Sequence, residues 1–260
     1  MYWALTTDLV DKRGFVFEQV LGDIQTLNQW ARAGRLEVTA LSLAAYPFVQ
    51  EDYALLPHGA SIGAGYGPVL VGREQEPLDI VRTKEIAVPG AMTTAFLVLR
   101  LALGEFAYRE LPFEQIPDEV ASGAADAGLL IHEGQLTFSD LGLTKLLDLG
   151  QWWLLETGFP LPLGVNVARR DIGPERLQAL SEVLRDAIQC GLDNRAEALE
   201  YALQFGRGID AAVADRFVAM YVNDLTQDYG DEGRKAVAEL LRRGESIGAF
   251  PGPVRIDFIA

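Results

Sequence analysis

The chain of 260 residues holds two histidines, the side chains whose ordinary pKa lies nearest neutrality, and a single cysteine. His132 follows the apolar run Ala127–Ile131 in LLIHEG, where a strand of an open α/β sheet would hand over to its loop. Ligands gather outside such strand ends, and an imidazole there can serve as a general base. A histidine that only closes the strand through a backbone hydrogen bond fits the same position. His58, in LLPHGASIG, reads as a solvent-facing loop residue. The segment EIAVPGAMTTAFLVLRL runs strand, Pro-Gly turn, two threonines, helix. Thr93 or Thr94 can be its N-cap. The N–H groups at the helix start, with roughly half a positive charge from the helix dipole, then suit a carboxylate or phosphate. Ordinary capping explains the threonines equally well. Ser42 repeats the arrangement between the run LEVTAL and the helix SLAAYPFVQ.

Other motifs carry less chemistry. Gly63, Gly65 and Gly67 in SIGAGYGPVLVG lack the G-x-G-x-x-G spacing, and a strand follows where a dinucleotide fingerprint needs a helix. There is no P-loop, no H-E-x-x-H and no acidic loop with calcium spacing, so neither a metal nor a nucleotide cofactor is expected. Trp152 and Trp153, consecutive in LGQWWLLETG, point about 100° apart on a helix. The structural role is the safer expectation for both.

Composition narrows the partners. Lys plus Arg is 22 and Asp plus Glu is 37, a net charge of −15. That balance argues against nucleic acid and against anionic lipid as partners. With 49% hydrophobic residues the chain can bury a full core. The lone Cys190 permits no internal disulfide. The longest apolar run, near Ala95 to Leu103, is interrupted by Arg100 and falls short of the roughly 20 residues of a spanning helix. The start, MYWALTTDLVDKRG, has no cationic region ahead of an apolar one, so the expected location is the cytoplasm.

The elements that must position these residues alternate between strand and helix. Strands are expected at Phe15–Leu21, Leu36–Leu41, Tyr53–Leu56, Pro68–Gly72, Glu85–Val88, Phe106–Leu111, Ala127–Ile131, Leu146–Leu149 and Pro162–Ala168. Asp23 can cap a helix that stops at Gly34, and further helices follow Thr93, Phe113 and Leu149. From Pro174 onward the pattern is helical: 174–190, 193–204, 209–220 and 231–243. Such alternation implies an α/β protein with parallel sheets covered on both faces. Weak joints at 82–84 and 190–194 divide the chain into a discontinuous large lobe (1–84 and 191–260) and a small lobe (85–190) around a central cleft.

In order along the chain, GDIQTLNQWARAGRLEVTALSLAAY, GASIGAGYGPVLV, IAVPGAMTTAFLVL, DAGLLIHEGQLTF, LDLGQWWLLETGFPLPLG and YVNDL resemble the 1,4-dihydroxy-6-naphthoate synthase family of the futalosine route to menaquinone. The combination of PG-x-x-TTA, LIHE and WW-x-x-x-TG-x-PLPLG is specific to it. The resemblance implies a two-lobed fold like the type II periplasmic solute-binding proteins. It implies a lyase that breaks carbon–carbon bonds of cyclic dehypoxanthinyl futalosine, releases a small sugar-derived ketone and leaves the aromatic dihydroxynaphthoate. The family's base falls on His132, and its substrate-contacting segments fall on Ala40, Leu41 and Ser42 and on Thr94 and Ala95. Aromatisation then drives the reaction without a redox cofactor or metal. The partner would be a small-molecule carboxylate, and the protein a monomer or homodimer.

Two other readings share the fold: a chorismate dehydratase of the same pathway, and a non-catalytic solute-binding protein of an uptake system. The absence of an export signal and the histidine at a cleft strand end weigh against the second. Family members carry a short strand and an S-x-C-P-N-D-T-F loop before the first helix, whereas Met1 aligns inside that helix. The expectation is a native start placed upstream.

Overall fold

Apolar, β-branched runs bounded by turn residues pair into two sheets, with capped amphipathic helices packed around them. The structure, a computed structural model, describes residues 2–205 and 211–259. The strands are β1 (Val38–Ser42), β2 (Tyr53–Leu55), β3 (Ser61–Gly63), β4 (Val69–Gly72), β5 (Glu85–Val88), β6 (Ala107–Glu110), β7 (Ala127–Leu130), β8 (Thr144–Asp148) and β9 (Leu161–Arg169). The helices are α1 (Ile24–Arg32), α2 (Leu78–Val81), α3 (Thr94–Leu103), α4 (Ile116–Ala121), α5 (Gly134–Thr137), α6 (Leu149–Thr157), α7 (Pro174–Asp193), α8 (Arg195–Leu203), α9 (Ala211–Tyr221), α10 (Asp224–Gln227) and α11 (Gly230–Ser246). Residues 209 and 210 of the expected helix 209–220 lie outside the described residues.

The first sheet is built on β9. β1 runs antiparallel along one edge of it, and β2 and β3 run antiparallel along the other. Ser42 of β1 and Ser61 of β3 both pair with Gly164, so two serines flank one bare glycine on the same rung. The second sheet has the order β6-β5-β7-β4-β8. Parallel pairing, which the strand–helix alternation implied throughout, holds only for β5 with β6 and with β7, where α3 and α4 supply crossovers. β4 enters antiparallel between β7 and β8, and β9 returns antiparallel through the first sheet. The chain therefore changes sheet between Gly63 and Val69 and again between Asp148 and Leu161. This places β4 and β9 in the opposite sheets from those that joints near 84 and 190 imply.

Phe15–Leu21 forms no strand. Val16 is 97% exposed, while Phe15 and Phe17 pack onto a small cluster with Leu177 and Leu180 of α7. An alternating run needs a neighbouring strand to bond its main chain, and none of the described strands pairs with it. The segment after Ser42 is a 3-10 turn, Leu43–Phe48, with Pro47 inside it, because proline lacks the N–H that would continue an α-helix. Asp23 caps α1 as expected, accepting from the Thr26 N–H at 3.0 Å. α3 is apolar on nearly every side and buried accordingly. It belongs to one core that joins Leu41, Val165 and Val167 of the first sheet to Leu70, Ile86 and Leu129 of the second.

Candidate active site

The connections of the second sheet locate the site. From β5 the chain turns through α3 toward β6, and from β7 it turns through α5 toward β8 on the other side. The crevice outside the carboxyl ends of β5 and β7 is the switch point at which open α/β sheets bind ligands. Thr93, Thr94 and Ala95 follow β5 there, and His132 follows β7. A cavity of about 190 Å³ opens at this point, lined among others by Ser42, Ser61, Thr94, Ala95, His132 and Gly164.

Each polar group has an assignable support. His132 holds a left-handed backbone, φ +54°, which turns the chain out of β7. Its ring lies 4.6 Å from the Phe113 ring, centroid to centroid. A non-glycine residue in that region is uncommon and is concentrated at functional sites. Thr93 is the N-cap of α3, its Oγ1 accepting from the Phe96 N–H at 3.2 Å and donating to the Gly90 carbonyl at 2.8 Å. The Thr94 hydroxyl is also committed: it donates to the Leu163 carbonyl at 2.6 Å and accepts from the Ala44 N–H at 3.1 Å. It thereby ties the start of α3 to the first sheet. What α3 can offer a ligand is its first main-chain N–H groups, at Thr94 and Ala95, rather than a threonine hydroxyl.

Ser42 is held by Asn28 of α1, which the sequence reading did not single out. Asn28 Oδ1 accepts from the Ser42 N–H at 2.8 Å, and Asn28 Nδ2 donates to Ser42 Oγ at 3.1 Å. With its oxygen already accepting, the serine hydroxyl has its proton to give. Ser42 does not cap the turn that follows it. Ala40 and Leu41 lie next to it on β1 but are not among the residues lining the cavity, and Leu41 is wholly buried in the core. Sequence reading also missed Ser61, Gln135, Gly164 and Tyr221 as cavity residues. Gln135 and Tyr221 stand in the HEGQLTF and YVNDL segments, so their neighbourhood was marked though their chemistry was not.

Neither tryptophan lines the cavity. Trp153 is fully buried with its indole N–H on the Pro160 carbonyl at 3.1 Å, and Trp152 packs at the edge of the same core. Among the described residues no cluster of His, Cys, Asp or Glu has the geometry of a metal site, and no helix is long and apolar enough to cross a membrane.

His58 is not the solvent-facing residue its loop suggested. It is 2% exposed, and its Nε2 lies 3.0 Å from Ser181 Oγ of α7. Helix α7 packs over that loop, which local sequence could not show. Burial lowers the His58 pKa from 6.5 to about 4. Between those values the unfolded chain binds a proton that the folded chain refuses, so stability present above pH 6.5 is lost as pH falls toward 4. From pH 7.5 to pH 5 this group removes about 2 kcal/mol. The urea midpoint of a His58→Leu variant should fall correspondingly less over that range. Equal falls in the variant and the unaltered chain would show that another group is responsible.

Comparison with known proteins addresses the family and the fold. Residues 1–246 match a family described as menaquinone biosynthesis. A 1,4-dihydroxy-6-naphthoate synthase of Thermus thermophilus is 41% identical over 237 residues, covering 91% of this chain and 86% of the relative. One of Streptomyces coelicolor is 37% identical over 246 residues, with the same coverages, 91% and 86%. A crystal structure of an Archaeoglobus fulgidus protein superposes with a TM-score of 0.89 at 42% identity, covering 95% of this chain and 92% of that one. At 11% identity, a Candida albicans protein described as having the generic periplasmic binding protein fold superposes with a TM-score of 0.65, covering 90% of this chain and 84% of its own. The α/β architecture is therefore that of the periplasmic binding proteins, and the chain belongs to the menaquinone biosynthesis family that includes the 1,4-dihydroxy-6-naphthoate synthases.

Proposed function

We propose that the chain is a carbon–carbon lyase that converts cyclic dehypoxanthinyl futalosine to 1,4-dihydroxy-6-naphthoate. The observation that carries this reading is the meeting of His132 with the open start of α3 in one largely apolar cavity at the β5/β7 switch point. An apolar lining keeps water from the imidazole and strengthens each polar contact made inside it. The main-chain N–H groups of Thr94 and Ala95, with the Ser42 hydroxyl, hold the substrate carboxylate. His132 removes a proton from a ring carbon or hydroxyl, and the electrons released drive a retro-aldol-type fragmentation toward the aromatic product. The names borne by the Thermus and Streptomyces relatives give the same product, 1,4-dihydroxy-6-naphthoate.

The test is to give the purified chain cyclic dehypoxanthinyl futalosine and chorismate separately. Release of 1,4-dihydroxy-6-naphthoate from the first, with chorismate untouched, is the expected result. Dehydration of chorismate would assign the chain to the sister reaction, and binding without turnover would make it a solute-binding protein.

A further inference from the structure

One pair of side chains in the cavity wall has no task in the reaction as described. Gln135 and Tyr221 are 8% and 6% exposed, yet both line the cavity. The Tyr221 hydroxyl donates to Gln135 Oε1 at 2.6 Å. Burial raises the pKa of that phenol, so it keeps its proton. The donated bond fixes which way the amide faces. Oε1 is turned to the phenol, and Nε2, which carries two donors, has no acceptor among the described residues. Both partners are braced from behind. The Gln135 N–H donates to the His132 carbonyl at 3.2 Å, so amide and imidazole leave the same turn. Tyr221 meets Tyr66 edge to face at 5.6 Å, and Asn223, two residues on, donates to the Ile62 carbonyl of β3 at 3.3 Å.

The register of the first sheet separates this pair from the anion site. Thr94 and Ser42 lie at the β1 edge of β9, through the bonds to Ala44 and Asn28. Tyr221 ends α9, which packs on β3 at the opposite edge, beside Ser61. Two strand spacings, about 10 Å, separate the edges, with side-chain-free Gly164 between them. The polar end at β1 offers helix-start N–H groups that favour negative charge. The end at β3 offers a neutral amide and a neutral hydroxyl, and among the described residues no Lys or Arg lines the cavity to favour an anion there.

We propose that Gln135, oriented by Tyr221 and assisted by Ser61, binds the neutral, hydroxyl-bearing part of the substrate, the part released when the carbon–carbon bonds break. Gln135 is then a specificity-determining residue and Tyr221 a positioning residue. The proposal rests on the lyase reading, because that reading supplies a substrate with a carboxylate at one end and a polyol fragment at the other.

Binding is measured by calorimetry in a His132→Asn background, which removes the base, with cyclic dehypoxanthinyl futalosine and with the product 1,4-dihydroxy-6-naphthoate, which lacks the fragment. Gln135→Leu is expected to weaken substrate binding about 10-fold, the effect of losing one buried hydrogen bond, and product binding less than about 2-fold. Tyr221→Phe keeps the ring against Tyr66 and should show the same selectivity, which a role in packing alone would not produce. Equal weakening of both ligands, or no weakening of either, overturns the proposal, as does failure of both compounds to bind the background protein. Absence of turnover by the unaltered chain, with the selective loss intact, would remove the lyase reading and leave the subsite standing.

Discussion

His132→Asn is expected to lower kcat by about 10²- to 10⁴-fold, the range over which a positioned general base contributes, with KM near that of the unaltered chain. Asparagine suits this test because His132 sits at φ +54°, and asparagine is among the few residues that enter the left-handed region readily. The turn out of β7 should therefore persist, while the imidazole and its ring contact with Phe113 are removed. His132→Ala carries an added cost of about 1 to 2 kcal/mol for holding an alanine in that conformation, so its stability should fall along with its activity. Steady-state kinetics on cyclic dehypoxanthinyl futalosine, with a denaturation curve for each variant, separates the two effects. A folded His132→Asn protein with normal turnover would remove His132 as the base and leave the cavity in need of another proton acceptor.

That this experiment could be framed from sequence owes to local signals. Apolar runs closed by Pro89-Gly90 and by His132-Glu133 mark the ends of β5 and β7, and of the two threonines that could cap α3 it is Thr93 that does. Periodicity carries no information about the direction or partners of a strand, so the antiparallel entry of β4 and the central place of β9 were not legible. β3 is three residues long, too short to show a period. Contacts between distant segments stayed hidden for the same reason. His58 looks like a loop residue until α7 brings Ser181, 123 positions away, onto it. Gln135 and Tyr221 are 86 positions apart and meet only in the cavity wall. Asn28 reads as a polar residue of α1, yet it is fully buried and holds Ser42 by two hydrogen bonds.

The glycine run that resembled a weak nucleotide loop leads to the second large effect, a loss of at least about 3 kcal/mol on Gly150→Ala, at the upper end of what overpacking costs. Gly67 and Gly150 stand where the two chain segments passing between the sheets touch. A Cβ on Gly150 would lie 2.0 Å from the Tyr66 carbonyl carbon, 2.1 Å from its oxygen and 2.5 Å from the Gly67 nitrogen. All three are main-chain atoms, and no rotamer change can clear them. The surrounding bonds prevent the segments from parting cheaply: the Leu149 N–H donates to the Pro68 carbonyl at 2.9 Å, the Tyr66 hydroxyl donates to the Met220 carbonyl, and Val69 pairs with Asp148. Gly63 and Gly67 are thus required by close packing of backbone on backbone, and Gly65 by its left-handed backbone, φ +77°. Gly252→Ala is the control, since a Cβ there meets nothing within 4 Å, and it should change stability by no more than about 0.5 kcal/mol. Equal urea midpoints for the two variants would show that the crossing yields without strain. If the crossing is as rigid as its contacts imply, Gly150→Ala should also depress activity in whatever fraction remains folded, because Pro68, displaced with Gly67, is part of the cavity wall.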